Sequence, residues 1–174
     1  MITLLVASLM PLLSHCSTDK PSSDSDDFII NIYTGEEEAG SKSISFNEMI
    51  GREERPVLLN FWANNCPPCR AEMIGLEAAW NEYGDKVLFV GVDVGPYVGL
   101  GSYNGGLDLV ESFGITYITG NTFQRSVITD WQITNMPTTF LLDGDGKVYD
   151  IVIGAILGSR LSKKIENLIA ISKS

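Results

Sequence analysis

The chain has 174 residues, 44% of them hydrophobic, which suits one globular domain with a sizeable core plus short extras. Its formal net charge of −10 argues against nucleic acid as a partner, which needs clustered Lys and Arg, and against adhesion to an anionic lipid surface through basic residues. Three cysteines, two of them inside one short motif, do not make a structural disulfide framework.

From the N-terminus, Ile2 to Leu13 is mostly apolar, about the length of a signal h-region and too short to span a bilayer as a helix. Leu13-Ser14-His15-Cys16 resembles a bacterial lipoprotein signal, with Cys16 as the lipidated residue, although His15 stands where a small residue is usual and no Lys or Arg precedes the apolar run. Residues 1–16 therefore read as an export leader with a membrane tether at Cys16; the alternatives are an uncleaved anchor or a misplaced start codon. Residues 17–27 are rich in Ser and Asp and read as a linker, so the folded domain is expected over 28–174.

Phe28 to Tyr33 is a short apolar run of strand type, and Phe46 to Ile50 a helical turn. Val57 to Trp62 and Val87 to Val92 are nearly continuous apolar runs without alternation, as expected of strands buried on both faces of a mixed or parallel sheet. Between them Met73, Leu76, Trp80 and Tyr83 form one helical stripe, with Gly84 as the expected C-cap. Strand, helix, strand makes a right-handed βαβ crossover. Gly95 to Gly106 is glycine-rich and carries Tyr97 and Tyr103. It reads either as a mobile surface loop with exposed tyrosines or as a docking loop for a partner. Leu107 to Phe113 reads as a helix and Thr138 to Leu142 as a strand. Asp143-Gly144-Asp145-Gly146 reads as a hairpin turn and Val148 to Ile153 as the returning strand. A last helix, capped by Ser159, would bury Leu161, Ile165 and Leu168. These elements outline a thioredoxin-like α/β fold, a central mixed sheet flanked by helices, with an N-terminal extension.

Cys66-Pro67-Pro68-Cys69 follows a buried strand and opens a helix. A thiolate there gains from the helix dipole and the free N–H groups, which makes Cys66 the nucleophile. Cys69, one turn on, shares its helix face and can close a disulfide. Pro67 fits the first helical position, where its missing N–H is not needed. Pro68 removes one further donor, leaving the Cys69 N–H to face the Cys66 sulfur. The thiolate is then only moderately stabilised, which suits a reductant or mild exchanger rather than a strong oxidant. Zinc needs four ligands in a closed site, and the only other Cys and His, Cys16 and His15, lie in the leader. No metal or other cofactor is expected.

Asn60-Phe61-Trp62-Ala63-Asn64-Asn65-Cys66-Pro67-Pro68-Cys69-Arg70-Ala71-Glu72-Met73 resembles the active-site segment of the TlpA/ResA-like extracytoplasmic thioredoxins, and Asn135 to Asp143 followed by Gly146-Lys147 resembles their second signature. The likeness runs from about Phe28 to the C-terminus. It implies a cis-proline at Pro137, with Met136 beside the sulfurs, for backbone recognition of substrate. It implies a proton-transfer role for Glu72, the other reading being an ordinary surface Glu in a first helical turn. Trp62, Asn65, Pro67, Pro68, Met136 and Pro137 become the candidate substrate-binding residues, and Cys66, Cys69 and Glu72 the catalytic ones. Asn60 stands where cytoplasmic thioredoxins carry a buried Asp, which fits the exported branch, and Asn65 replaces the family's usual Trp. The implied activity is extracytoplasmic reduction of protein disulfides, in cytochrome c maturation or a related thiol supply. The partners would be a disulfide-bearing protein such as apocytochrome c and a membrane thiol donor. A peroxide-reducing relative and a copper-handling protein of the same fold are the alternatives.

Overall fold

The computed structural model describes residues 26–172. The proposed leader, with Cys16, and most of the linker lie outside these residues. Asp26 and Asp27, read as linker from composition, are tied into the fold. Asp27 Oδ1 accepts the N–H groups of Phe28 and Asn47, both at 2.9 Å, and the Asp26 carbonyl accepts from the Trp131 indole at 2.9 Å.

The elements in chain order are β1 (Ile29–Thr34), a helical turn α1 (Glu36–Ala39), β2 (Ser43–Ser45), α2 (Phe46–Gly51), β3 (Val57–Trp62), α3 (Pro67–Tyr83), β4 (Leu88–Asp93), the short α4 (Gly95–Val98), α5 (Tyr103–Phe113), β5 (Ile118–Asn121), the short α6 (Val127–Asp130), β6 (Thr138–Leu142), β7 (Val148–Ile153) and α7 (Gly158–Ile171). One seven-stranded sheet runs β2-β1-β5-β4-β3-β6-β7. β3, β4 and β5 are parallel neighbours, while β6 pairs antiparallel with β3 and β7, and β1 with β5 and β2. This is the mixed sheet expected from the sequence, and the thioredoxin-like fold. Among the described residues no helix is long and apolar enough to cross a membrane.

The unbroken apolar run of β3 has a direct cause. Leu58 and Trp62 join one buried cluster with Met73, Leu76, Leu161, Ile165 and Leu168 of α3 and α7. Val57, Leu59 and Phe61 join a second cluster on the other face with Phe28, Phe46, Phe140 and Trp131. Phe28 stacks on Phe46 at 5.2 Å, and Trp131 stands edge-on to Phe140 at 5.0 Å.

Of the local expectations, one holds, two need correction, and one strand was not expected. Gly84 caps α3 as expected, with right-handed backbone (φ −61°), and a Cβ there would stand 2.7 Å from the Trp80 ring. α7 starts at Gly158 after Leu157, with no side-chain cap, so Ser159 lies inside its first turn. α5 begins four residues earlier than expected, because Ser102 caps it by accepting the Gly105 N–H at 3.2 Å. β5 carries Thr119, Gly120 and Asn121 and too few apolar residues to signal a strand, yet it sits wholly buried inside the sheet.

Candidate active site around Cys66 and Cys69

α3 begins directly beyond the C-terminal end of β3. Cys66 is the N-cap in extended conformation, Pro67 and Pro68 occupy the first two helical positions, and the Cys66 sulfur accepts the Cys69 N–H at 3.3 Å. Both prolines lack N–H groups, so this single amide is the donor that the first turn directs at the sulfur. The two cysteines form a disulfide with Cα atoms 5.3 Å apart. Cys69 is fully buried and Cys66 nearly so, leaving its sulfur edge to a groove of about 330 Å³. Pro67 and Pro68 form one wall, Val98 and Leu100 another, and Ile133 to Met136 the third. The peptide bond between Met136 and Pro137 is cis.

Of the candidate substrate-binding residues, Pro67, Pro68 and Met136 line this groove. Pro137 is buried behind Met136, its carbonyl accepting from the Gly154 N–H at 2.8 Å. Asn65 is exposed but outside the lining, and its N–H donates to the Leu100 carbonyl at 2.8 Å. Trp62 is fully buried, because β3 is central and covered on both faces, and it lies outside the groove's lining.

Glu72 is also fully buried, which removes the surface-residue reading. One carboxylate oxygen accepts from Asn60 Nδ2 at 2.7 Å, and the other from the Ile156 N–H at 2.9 Å. Asn60 also donates to Thr139 Oγ1 at 2.9 Å. Burial pushes the Glu72 carboxyl up to about 7, and these two hydrogen bonds only partly oppose it. A carboxyl that titrates near neutrality, one helical turn beyond Cys69, can take or give a proton during exchange. Asn60 Oδ1 has no hydrogen-bond partner among the described residues.

A second buried acid was not singled out from the sequence. Asp93, at the end of β4, accepts the Gly95 N–H at 2.9 Å and the Tyr33 hydroxyl at 3.3 Å. Burial raises its carboxyl to about 6, opposed by those two bonds. The one Tyr33 hydroxyl proton is shared between Asp93 and the Tyr103 carbonyl at 3.1 Å, and its oxygen accepts from Asn121 Nδ2 at 3.1 Å. Asp93 thus ties the start of the glycine-rich segment to the sheet.

That segment is neither a bare surface loop nor a bearer of exposed tyrosines. Tyr103 donates to Tyr97 at 2.9 Å, Tyr97 donates to the Thr122 carbonyl at 3.1 Å, and both rings are half-buried. The segment walls the groove through Val98 and Leu100. Asn64 locks it to the dithiol loop. Its Oδ1 accepts the Ser102 N–H at 3.1 Å, and a Cβ at Gly101 or Gly105 would fall 1.7 or 2.5 Å from its side chain. The glycines make room for Asn64, and their clustering after β4 was the only trace of this in the sequence.

The chain matches the AhpC/TSA family over residues 27–151. It is 32% identical over 133 residues to the thioredoxin-like protein YneN of Bacillus subtilis, covering 74% of this chain and 71% of that protein. It is 29% identical over 131 residues to the thiol-disulfide oxidoreductase ResA of Geobacillus thermodenitrificans, covering 70% of this chain and 72% of that one. A putative thiol:disulfide interchange protein DsbE from Chlorobium tepidum superposes with a TM-score of 0.67 at 19% identity, over 91% of this chain and all of that one, which shows the shared fold. A family match across most of the chain, together with the similarity to YneN and ResA, establishes that this protein belongs to the AhpC/TSA family as a TlpA/ResA-like member of thioredoxin fold.

Proposed function

We propose that this chain is an extracytoplasmic thiol–disulfide oxidoreductase that reduces disulfides of other proteins through Cys66 and Cys69. In the reduced state Cys66, its proton released to solvent, attacks as a thiolate one sulfur of the target disulfide and expels the other as a thiolate, which takes up a proton from solvent. Cys69, giving its proton to Glu72, then attacks the Cys66 sulfur and closes the Cys66–Cys69 disulfide, and the second target sulfur leaves as a thiolate that is protonated as Glu72 gives its proton back. Two electrons and two protons pass to the target, and a membrane thiol donor returns the pair to the dithiol. The observation that carries this reading is the cysteine pair at the head of α3, open to a groove on the Cys66 side and backed by buried Glu72.

Reduction rather than oxidation is supported by the single N–H aimed at the Cys66 sulfur. Export and tethering at Cys16, and a task such as cytochrome c maturation, rest on the leader sequence, on Asn60 in place of an acid, and on the family likeness. Pro137 and Met136 are assigned to backbone recognition of the target and Asn65 to its outer rim. The relatives' names, thiol-disulfide oxidoreductase among them, agree with this chemistry.

The test is trapping. Cys69→Ala should hold its target as a mixed disulfide on Cys66, identified by mass, while wild-type protein reduces insulin. Failure to reduce insulin, coupled with peroxide turnover or with copper retained through purification, would overturn the reading in favour of one of the alternatives.

A further inference from the structure

A larger cavity, about 900 Å³, lies apart from the cysteines, between α2 and the β6–β7 hairpin. Its floor is apolar: Trp131, Phe140, Ile151 and Ile153. The register explains why it is open. Phe140 faces Ile151 and Thr138 faces Ile153 across the β6–β7 ladder, and β7 is the edge of the sheet. On the other face Val152 is buried with Leu161 and Ile165 of α7. On this face Ile151 and Ile153 remain 49% and 59% exposed, and adjacent exposed apolar residues of this kind mark interaction sites.

Two further observations say what covers it. First, the cavity adjoins the dithiol groove. Thr134 lines both, and Ile153 sits opposite Thr138, the residue after Pro137. Second, its lining holds Asp26, Glu53, Asp130 and Asp145 and, among the described residues, no Lys or Arg. Arg55 and Lys147, outside the lining, pair with Glu53 and Asp145, and Asp130 adds a carboxylate with no ion pair among the described residues. A second copy of a chain of charge −10 would bring its own acidic surface to this rim.

We propose that this groove is the docking track for the target polypeptide: an extended segment with apolar side chains and Lys or Arg, running from Cys66 past Thr134 onto Ile153 and Ile151. The proposal rests on the oxidoreductase reading and adds the class of substrate. A folded target keeps the apolar side chains and backbone beside its disulfide paired and buried, whereas an unfolded one is free to lay apolar side chains along the sheet edge and positive charge on the rim.

The test uses prereduced full-length protein in single turnover, where the Cys66/Cys69 dithiol passes two electrons and two protons to a peptide disulfide. Two synthetic peptides alternate Leu with Lys or Leu with Glu, each closed by one disulfide; bis(hydroxyethyl) disulfide is the small control. Wild-type protein should reduce the Lys peptide with a second-order rate constant about tenfold above the Glu peptide. Ile151→Gln with Ile153→Gln should lose about tenfold on the Lys peptide and stay within about twofold on the small disulfide. Asp130→Lys with Asp145→Lys should invert the peptide preference. Equal loss on peptide and small disulfide, or no loss on either, would overturn the proposal. So would a dimer, by sedimentation, that dissociates in the Gln variant, or peptide affinity that appears only after residues 1–25 are removed; both would assign the groove another occupant. Calorimetry with a cysteine-free Leu/Lys peptide keeps the two readings separate. Binding by wild type and not by the Gln variant supports the track even where no disulfide is reduced, and absence of binding overturns it.

Discussion

Glu72→Gln tests the buried acid that the proposed chemistry depends on. The folded protein holds this carboxyl at about 7 against an ordinary 4.5, because burial disfavours its charged form. Between those two pH values the unfolded chain has released the proton while the folded chain keeps it. Stability therefore falls as pH rises through this window and levels off above about pH 7. At about 1.4 kcal/mol per pH unit the full loss is about 3 kcal/mol. Asp93 acts in the same direction, but from 3.8 to about 6, so the interval from pH 6 to 7 belongs mainly to Glu72. The substitution should abolish the fall of about 1 kcal/mol across that interval and leave, below pH 6, only the share that belongs to Asp93. The amide can still accept from the Ile156 N–H, and the unpartnered Asn60 Oδ1 offers an acceptor for its NH₂ group once the Asn60 amide turns over. Above pH 7 the variant should then be more stable than wild type by about 1–3 kcal/mol. The assay is urea unfolding of the oxidised protein at a series of pH values. Parallel wild-type and variant curves from pH 6 to 7, or a variant less stable at pH 8, would refute the reasoning.

The same variant, in single turnover at pH 8, should resolve mixed disulfides about a hundredfold more slowly, the lower range of a general base's contribution; an unchanged rate would take Glu72 out of the mechanism. Pro68→Ala restores a second N–H facing the Cys66 sulfur. It should lower the Cys66 thiol pKa by about one unit and raise the reduction potential by about 30 mV, read from alkylation rates against pH and from glutathione equilibria. Gly105→Ala places a Cβ 2.5 Å from Asn64 Nδ2 and should cost about 1–3 kcal/mol in urea unfolding. In an Asn64→Ala background most of that cost should vanish, and additive costs would show that Asn64 is not what the glycine accommodates.

Much of this protein was legible in one dimension. The strands β3 and β4 announced themselves because a central strand of a covered sheet is apolar at every position, and the dithiol because two cysteines at that spacing, after a strand and before a helix, have few other uses. The prolines between them specified which backbone N–H groups exist to face the sulfur, a matter of covalent structure alone. What the sequence could not decide was environment. Glu72 reads the same whether its helix face meets water or Asn60 and Ile156, and only α3 packed against the sheet buries it and moves its titration to neutrality. Trp62 looks like a groove residue from its place in the motif, but its side of β3 lies beneath α3. The glycines after β4 suggested mobility, whereas the fold spends them on a close approach to Asn64. The apolar face of β7 looked like half of an ordinary hairpin until the strand order made it an edge. Local chemistry is written in residue type and spacing; burial, partner and exposed edge are properties of which elements meet, and distant parts of the chain decide them together.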